Sequence, residues 1–169
     1  MKHALLSLSL LIASSLLPLS VGAQTAPERV GTFKSAEGPV QVVSGTQQRQ
    51  ASPGQALHVN ERVVTGPKGA AAITLRDGTV LTMGQQSQMD MSAFAFDSTT
   101  QQGSAAINLL QGSLRVVTGL LGKVSPDRFK VTTPTSVVGV RGTDFIVEAN
   151  PAPTAPKRRG SRSPRATMM

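Results

Sequence analysis

His58 is the sole imidazole after residue 23, and the chain has neither cysteine nor tyrosine, so few of its side chains can move a proton near neutral pH. A serine nucleophile needs a base to take its proton, and His58 could act so only if the fold brought a Ser and an Asp to it. No Gly-x-Ser-x-Gly elbow is present, and His58 beside Val59 and Asn60 reads as a surface residue at a strand end. Zinc wants three or four His or Cys ligands, which one histidine cannot supply. Carboxylates for paired acid/base hydrolysis would come from Asp77, Asp90, Asp97, Asp127, Asp144 and Glu148, but no spacing unites two of them. Calcium would need an Asp-x-Asp-x-Asp-Gly loop, and none occurs. Glycans and single-stranded nucleic acids usually meet aromatic platforms, and the chain has no Trp or Tyr. The inventory points away from an enzyme, and no catalytic, metal-binding or cofactor-binding residue is assigned.

Residues suited to contact are easier to find. Gly119 to Asp127 places Leu120, Leu121 and Val124 among two glycines and Pro126, and apolar side chains in a loop make sense only if something covers them. Either a partner protein does so, or Leu120 and Leu121 close one end of the core. A second contact set is cationic: Lys157, Arg158, Arg159, Arg162 and Arg165 could meet an anionic envelope surface weakly, in a manner that fades with salt. Arg141 and Asp144, flanking Gly142-Thr143, could pair across a kink and hold it.

These residues must be positioned by strands. Period-2 alternation and turn residues recur from Val30 onward, and no window keeps apolar positions at helical spacing for ten residues. The expected strands are Arg29 to Phe33, Val40 to Ser44, Ala56 to Val59, Arg62 to Thr65, Ala71 to Leu75 and Thr79 to Met83. Gln88 to Ala93, Ala105 to Leu110, Ser113 to Thr118, Arg128 to Thr132, Val137 to Val140 and Asp144 to Ala149 follow. Asp77-Gly78 suits a two-residue type I′ turn, a register that sets Leu75 opposite Val80 and Ile73 opposite Thr82. Gly66-Pro67-Lys68-Gly69 reads as a second turn and Gln111-Gly112 as a third. Val63-Val64-Thr65-Gly66 is echoed by Val116-Val117-Thr118-Gly119, the kind of echo a stacked architecture produces. The fold class expected is all-β, a compact single domain of short strands, solenoid-like or sandwich-like.

The ends of the chain have a different character. Lys2, the apolar run from Ala4 to Leu17 and Val21-Gly22-Ala23 form a signal peptide over residues 1–23, cleaved between Ala23 and Gln24. Pro18 interrupts that run well short of the roughly 20 apolar residues a spanning helix needs. The protein is thus expected to be exported, to the periplasm or beyond. Without cysteine it has no disulfides, and with five Phe as its only aromatics its core must be built mainly of aliphatic side chains and Met. The formal charge of +8 is unevenly distributed: residues 24–150 hold eleven Lys or Arg against all nine acids, and residues 151–169 hold five cations and no acid. Residues 150–169, rich in Pro, Arg and Ser, are expected to be a disordered basic tail after a domain at 30–149.

Four ordered stretches resemble the FecR domain family, the extracytoplasmic part of ferric-citrate-type regulators and of many stand-alone exported proteins. After Gly54 comes Arg62-Val63-Val64-Thr65-Gly66, then Ala72-Ile73-Thr74-Leu75-Arg76-Asp77-Gly78-Thr79. Gly84 to Ser87 stands where that family has a Gly/Pro-and-Ser turn. Phe129-Lys130-Val131-Thr132-Thr133-Pro134 then precedes Arg141-Gly142-Thr143-Asp144-Phe145, which is similar to the family's closing Gly-Thr-x-Phe signature. The resemblance, over Val30 to Val147, implies an all-β module that works by contacting other envelope proteins. In full regulators it receives a signal from a TonB-dependent outer-membrane receptor and relays it to a sigma factor. No cytoplasmic segment, spanning helix or further domain is read in this sequence, so no contact with a cytoplasmic sigma factor is expected. The family offers no catalytic residue to carry over. The expectation is a non-enzymatic periplasmic protein-binding module, accessory to envelope or cell-surface signalling, with envelope proteins as partners and nucleic acid disfavoured. The alternative is an envelope-structural or surface-attachment protein anchored electrostatically by its basic tail.

Overall fold

The computed structural model describes residues 28–140 and 144–150. They form twelve strands and one short helix: β1 (Arg29–Glu37), β2 (Val40–Ser44), β3 (Gln47–Gln50), β4 (Ala56–His58), β5 (Arg62–Thr65), β6 (Ala70–Leu75), β7 (Val80–Met83), β8 (Gln88–Phe96), β9 (Gly103–Val117), α1 (Leu120–Val124), β10 (Phe129–Thr132), β11 (Val137–Gly139) and β12 (Asp144–Ala149). A 3-10 turn, Pro126–Arg128, joins α1 to β10. The fold is all-β, as its alternating sequence predicts.

The strands form one curled sheet in the order β3-β2-β5-β8-β9-β7-β6-β1-β4, with β10 and β12 also on β9 and β11 on β10. Every pairing is antiparallel except β10 with β9. Stacked solenoid coils would pair mainly in parallel, whereas this sheet is antiparallel but for one pairing. Alternate side chains turn inward: Ile73 and Leu75 on β6, Leu81 and Met83 on β7, Met89 and Met91 on β8, Phe129 and Val131 on β10. They join Val30, Phe33, Val42 and Val63 in a single buried cluster that draws on both halves of the sheet.

β9 is the spine, and it differs from the sequence expectation of two strands joined at Gln111-Gly112. Residues 103–111 pair with β8, and 105–108 also with β10. Residues 112–117 pair with β12, and 114–117 also with β7. Ala105, Ile107 and Leu109 are buried before Gly112, and Leu114 and Val116 after it, so the inward phase slips by one. Gly112 makes the slip possible with a φ of 87°, in the left-handed region. The β7–β8 turn secures the kink: Gly84 N–H donates to Ser113 O at 3.1 Å, and Ser113 N–H donates to Ser87 Oγ at 3.0 Å.

The β6–β7 hairpin also differs from expectation. Ile73 faces Leu81 and Thr74 faces Val80, one residue away from the register a two-residue turn would give. Leu75 N–H donates to Thr79 O at 2.8 Å, closing a three-residue loop, Arg76-Asp77-Gly78, in which only Gly78 has positive φ, at 84°. The expected register would have set Leu75 against Val80, but Val80 is half-buried on the outer face while Leu75 lies inside. β3 is a strand the sequence did not suggest, because Gln47-Gln48-Arg49-Gln50 has no apolar alternation; it forms as an edge paired to β2.

Candidate functional site

Asp77 anchors the most elaborate polar junction in the described structure. Its carboxylate is buried, and accepts from Thr79 N–H at 3.1 Å, Thr79 Oγ1–H at 2.7 Å and Leu121 N–H at 3.3 Å. Its carbonyl accepts from Leu120 N–H at 2.9 Å, and Thr79 Oγ1 accepts from Gly119 N–H at 2.9 Å. The β6–β7 loop thus supplies acceptors for the first free amides of α1, a helix too short to be stable alone. Gly122 has no side chain to hold α1 off Thr118, whose Cβ would lie 2.5 Å from any Cβ added there.

This junction decides what α1 shows to solvent. Leu121 is fully buried, which removes it from the contact residues expected from sequence and makes it part of the core. Leu120 is 38% exposed and Val124 50% exposed. Val117, at the end of β9, is also exposed, and its partner across β12 is Asp144. Ile146, two residues along β12, is 65% exposed. Exposed aliphatic side chains therefore stand on three elements, β9, α1 and β12. Among the described residues, β12 has only β9 as a neighbour.

Asp144, expected from sequence to pair with Arg141, has a partner on another strand. Arg115, on the facing strand, holds it through Nε at 2.9 Å and Nη2 at 2.5 Å, because antiparallel register brings the two onto one outer face. The Arg115 hydrogen bonds keep the Asp144 carboxyl below the ordinary aspartate range, and Asp144 raises Arg115 in turn. Arg141 lies outside the described residues, as do Ala23, Gln24, Lys157, Arg158, Arg159, Arg162 and Arg165.

Two of the other acids, Asp90 and Asp97, hold local structure. Asp90 takes a bidentate bond from Arg62, at 2.5 and 2.7 Å, and raises the arginine's pKa. Asp97 accepts from Thr99 and Thr100 N–H in the β8–β9 loop, and those amides, Thr100 first, lower its pKa. Asp127 lies in the 3-10 turn and Glu148 on the exposed face of β12. His58 ends β4 with Nδ1 3.5 Å from Glu61 Oε2, while Glu61, buried, accepts from Arg49 Nη2 at 2.8 Å and His58 N–H at 2.9 Å. Sequence reasoning missed this Arg49–Glu61 pair because it missed β3, which carries Arg49. Among the described residues, no three His, Cys, Asp or Glu side chains gather as a metal site would require. Nor is any helix among them long and apolar enough to cross a membrane.

Comparison with known proteins agrees with this architecture. The family model described as FecR protein matches residues 61–156, more than half the chain, from the turn before β5 through β12 and beyond. No curated protein and no solved structure matches. FecR domains are typically periplasmic and serve signalling and regulation, not enzyme catalysis. With its ordered motifs on the strands and turns of an all-β domain, this chain belongs to the FecR family.

Proposed function

We propose that the protein is a non-enzymatic periplasmic module that binds another envelope protein, as an accessory to envelope signalling. The observation that carries this reading is that Leu120 and Val124 stand exposed on a helix pinned by Asp77. A helix held by a buried carboxylate presents its side chains in fixed positions, which lowers the entropy lost on docking. β12, paired only with β9 among the described residues, offers backbone groups that a partner strand could satisfy. In this reading the domain occupies residues 30–149 after a signal peptide over residues 1–23. The cations Lys157, Arg158, Arg159, Arg162 and Arg165 add weak, salt-sensitive attraction to anionic envelope surfaces.

The test is photo-crosslinking in intact envelopes with the wild-type chain and the Leu120→Asp/Val124→Asp variant. Both sites are exposed, so the variant should keep its far-UV circular dichroism and unfolding midpoint while losing one discrete crosslinked band. An identical band pattern in a folded variant would remove α1 from the contact.

A further inference from the structure

On another part of the sheet, an open groove of about 630 Å³ over β1 and β6 is lined by Arg29, Thr32, Lys34, Thr74 and Arg76 together with Gly31 and the apolar Phe33 and Leu75. Three of those eight residues are cationic and none is acidic, whereas the domain as a whole carries nearly equal numbers of each sign. Glu28 is the one acid bonded to any of the three, through Arg76 at 2.7 Å. Arg76 is further fixed by the Phe96 carbonyl at 3.1 Å, and its guanidinium lies 5.7 Å from the Phe94 ring centre. Arg29 donates to Thr32 Oγ1 and, at 3.4 Å, to the Gly31 carbonyl, so its fork is held along the groove. Lys34 is exposed and makes no ion pair among the described residues. Gly31 lets β1 approach β6 closely, since a Cβ there would lie 2.5 Å from the Thr74 carbonyl oxygen. The hydroxyl of Thr74, another lining residue, is shut off from solvent without a hydrogen-bond partner.

We infer that this groove is a binding site for a phosphate-bearing ligand. Two guanidinium forks held in place, a free ammonium and the Thr32 hydroxyl are the donor set that a tetrahedral oxyanion with several acceptor oxygens satisfies. The excess of positive charge opposes a neutral ligand's advantage and raises the local concentration of anions. The inference uses neither α1 nor β12, so it stands independently of the protein-contact reading. A free phosphate compound and the headgroup of an anionic phospholipid share this chemistry.

The experiment uses the full chain, labelled with ¹⁵N, titrated separately with inorganic pyrophosphate and with small vesicles of phosphatidylglycerol in phosphatidylcholine. Amide signals of Gly31, Thr32 and Thr74 localise binding at the groove and separate it from any association of residues 157–165. Saturable shifts at these amides with pyrophosphate assign the soluble class; loss of their intensity with the anionic vesicles, and not with pure phosphatidylcholine, assigns the headgroup. In either case Lys34→Glu should weaken the association about tenfold or more, because two units of charge change within a few ångströms of the anion. Arg29→Gln should weaken it less. Shifts absent with both probes, or unchanged in the Lys34→Glu/Arg29→Gln variant, would overturn the site.

Discussion

Asp77 shows how much one residue can conceal from a reading of its neighbours. Beside Gly78 it looks like a turn former and nothing more, yet it is buried and its carboxylate accepts three hydrogen bonds, one from Leu121, 44 positions away. No local signal announces a partner at that separation; the nearest clue is that a glycine, Gly119, stands two residues past the end of β9 at Val117. Replacing Asp77 with Ala strands two backbone amides and a hydroxyl in a site that water cannot readily enter, and should cost about 2–4 kcal/mol. Asp77→Asn keeps one acceptor oxygen and should cost roughly half as much. Urea unfolding followed by far-UV circular dichroism measures both, and a midpoint for Asp77→Ala equal to wild type would show that the junction adds no stability. The Arg115–Asp144 pair is a different case: both partners are exposed, and strand register, once known, explains it completely. Sequence proximity suggests Arg141, which lies outside the described residues, whereas Arg115 is a neighbour only across facing strands, which a sequence does not display.

Elements were legible where alternation was strong and misleading where it slipped. The paired segments Val40 to Ser44 and Arg62 to Thr65 have the bounds that their apolar periodicity predicts, because each buries one face and exposes the other. β9 carries the same kind of signal up to Leu109 and again from Leu114, and the slip between them admits two physical solutions. A hairpin reverses the chain; a kink with positive φ carries it on with its faces exchanged. The chain adopts the second, and β9 thereby serves both halves of the sheet. What selects the kink is contact with the β7–β8 turn, and that is a tertiary fact. A Cβ on Gly112 would lie 2.5 Å from Ser87 Cα, in addition to the strain of a side chain at φ 87°. Gly112→Ala is therefore expected to destabilise by about 2–4 kcal/mol. Gly45→Ala makes a suitable control: it too has positive φ, 57°, but open space around its Cβ, and should cost only about 1 kcal/mol. Equal losses in urea titrations of the two variants would mean that the approach of Ser87 is unimportant.

At the scale of the molecule, the two sets of strands share one core and one spine. Leu109 and Leu114, on either side of the kink, both lie in the same buried cluster as Phe33, Met89 and Phe129. Neither half of the sheet can lose β9 without uncovering the inward face of the other, so partial unfolding along the divide at Gly112 would expose apolar side chains on both sides at once. No disulfide supplements this burial, since the chain has no cysteine. The expected consequence is a single cooperative transition, in which backbone circular dichroism and side-chain methyl resonances of Ile73, in the β6–β7 half, and Ile107, in the β8–β10 half, report the same urea midpoint. Tryptophan fluorescence is no option, as the sequence has no Trp. The two isoleucines are well placed for the comparison: both are fully buried, and they sit on β6 and on the first part of β9. If Ile107 lost its native signal at a distinctly lower urea concentration than Ile73, the halves would be separate folding units and β9 only a covalent link between them. Coincident midpoints would mean that the two halves respond as one body, on which the partner proposed to dock at α1 would act as a whole.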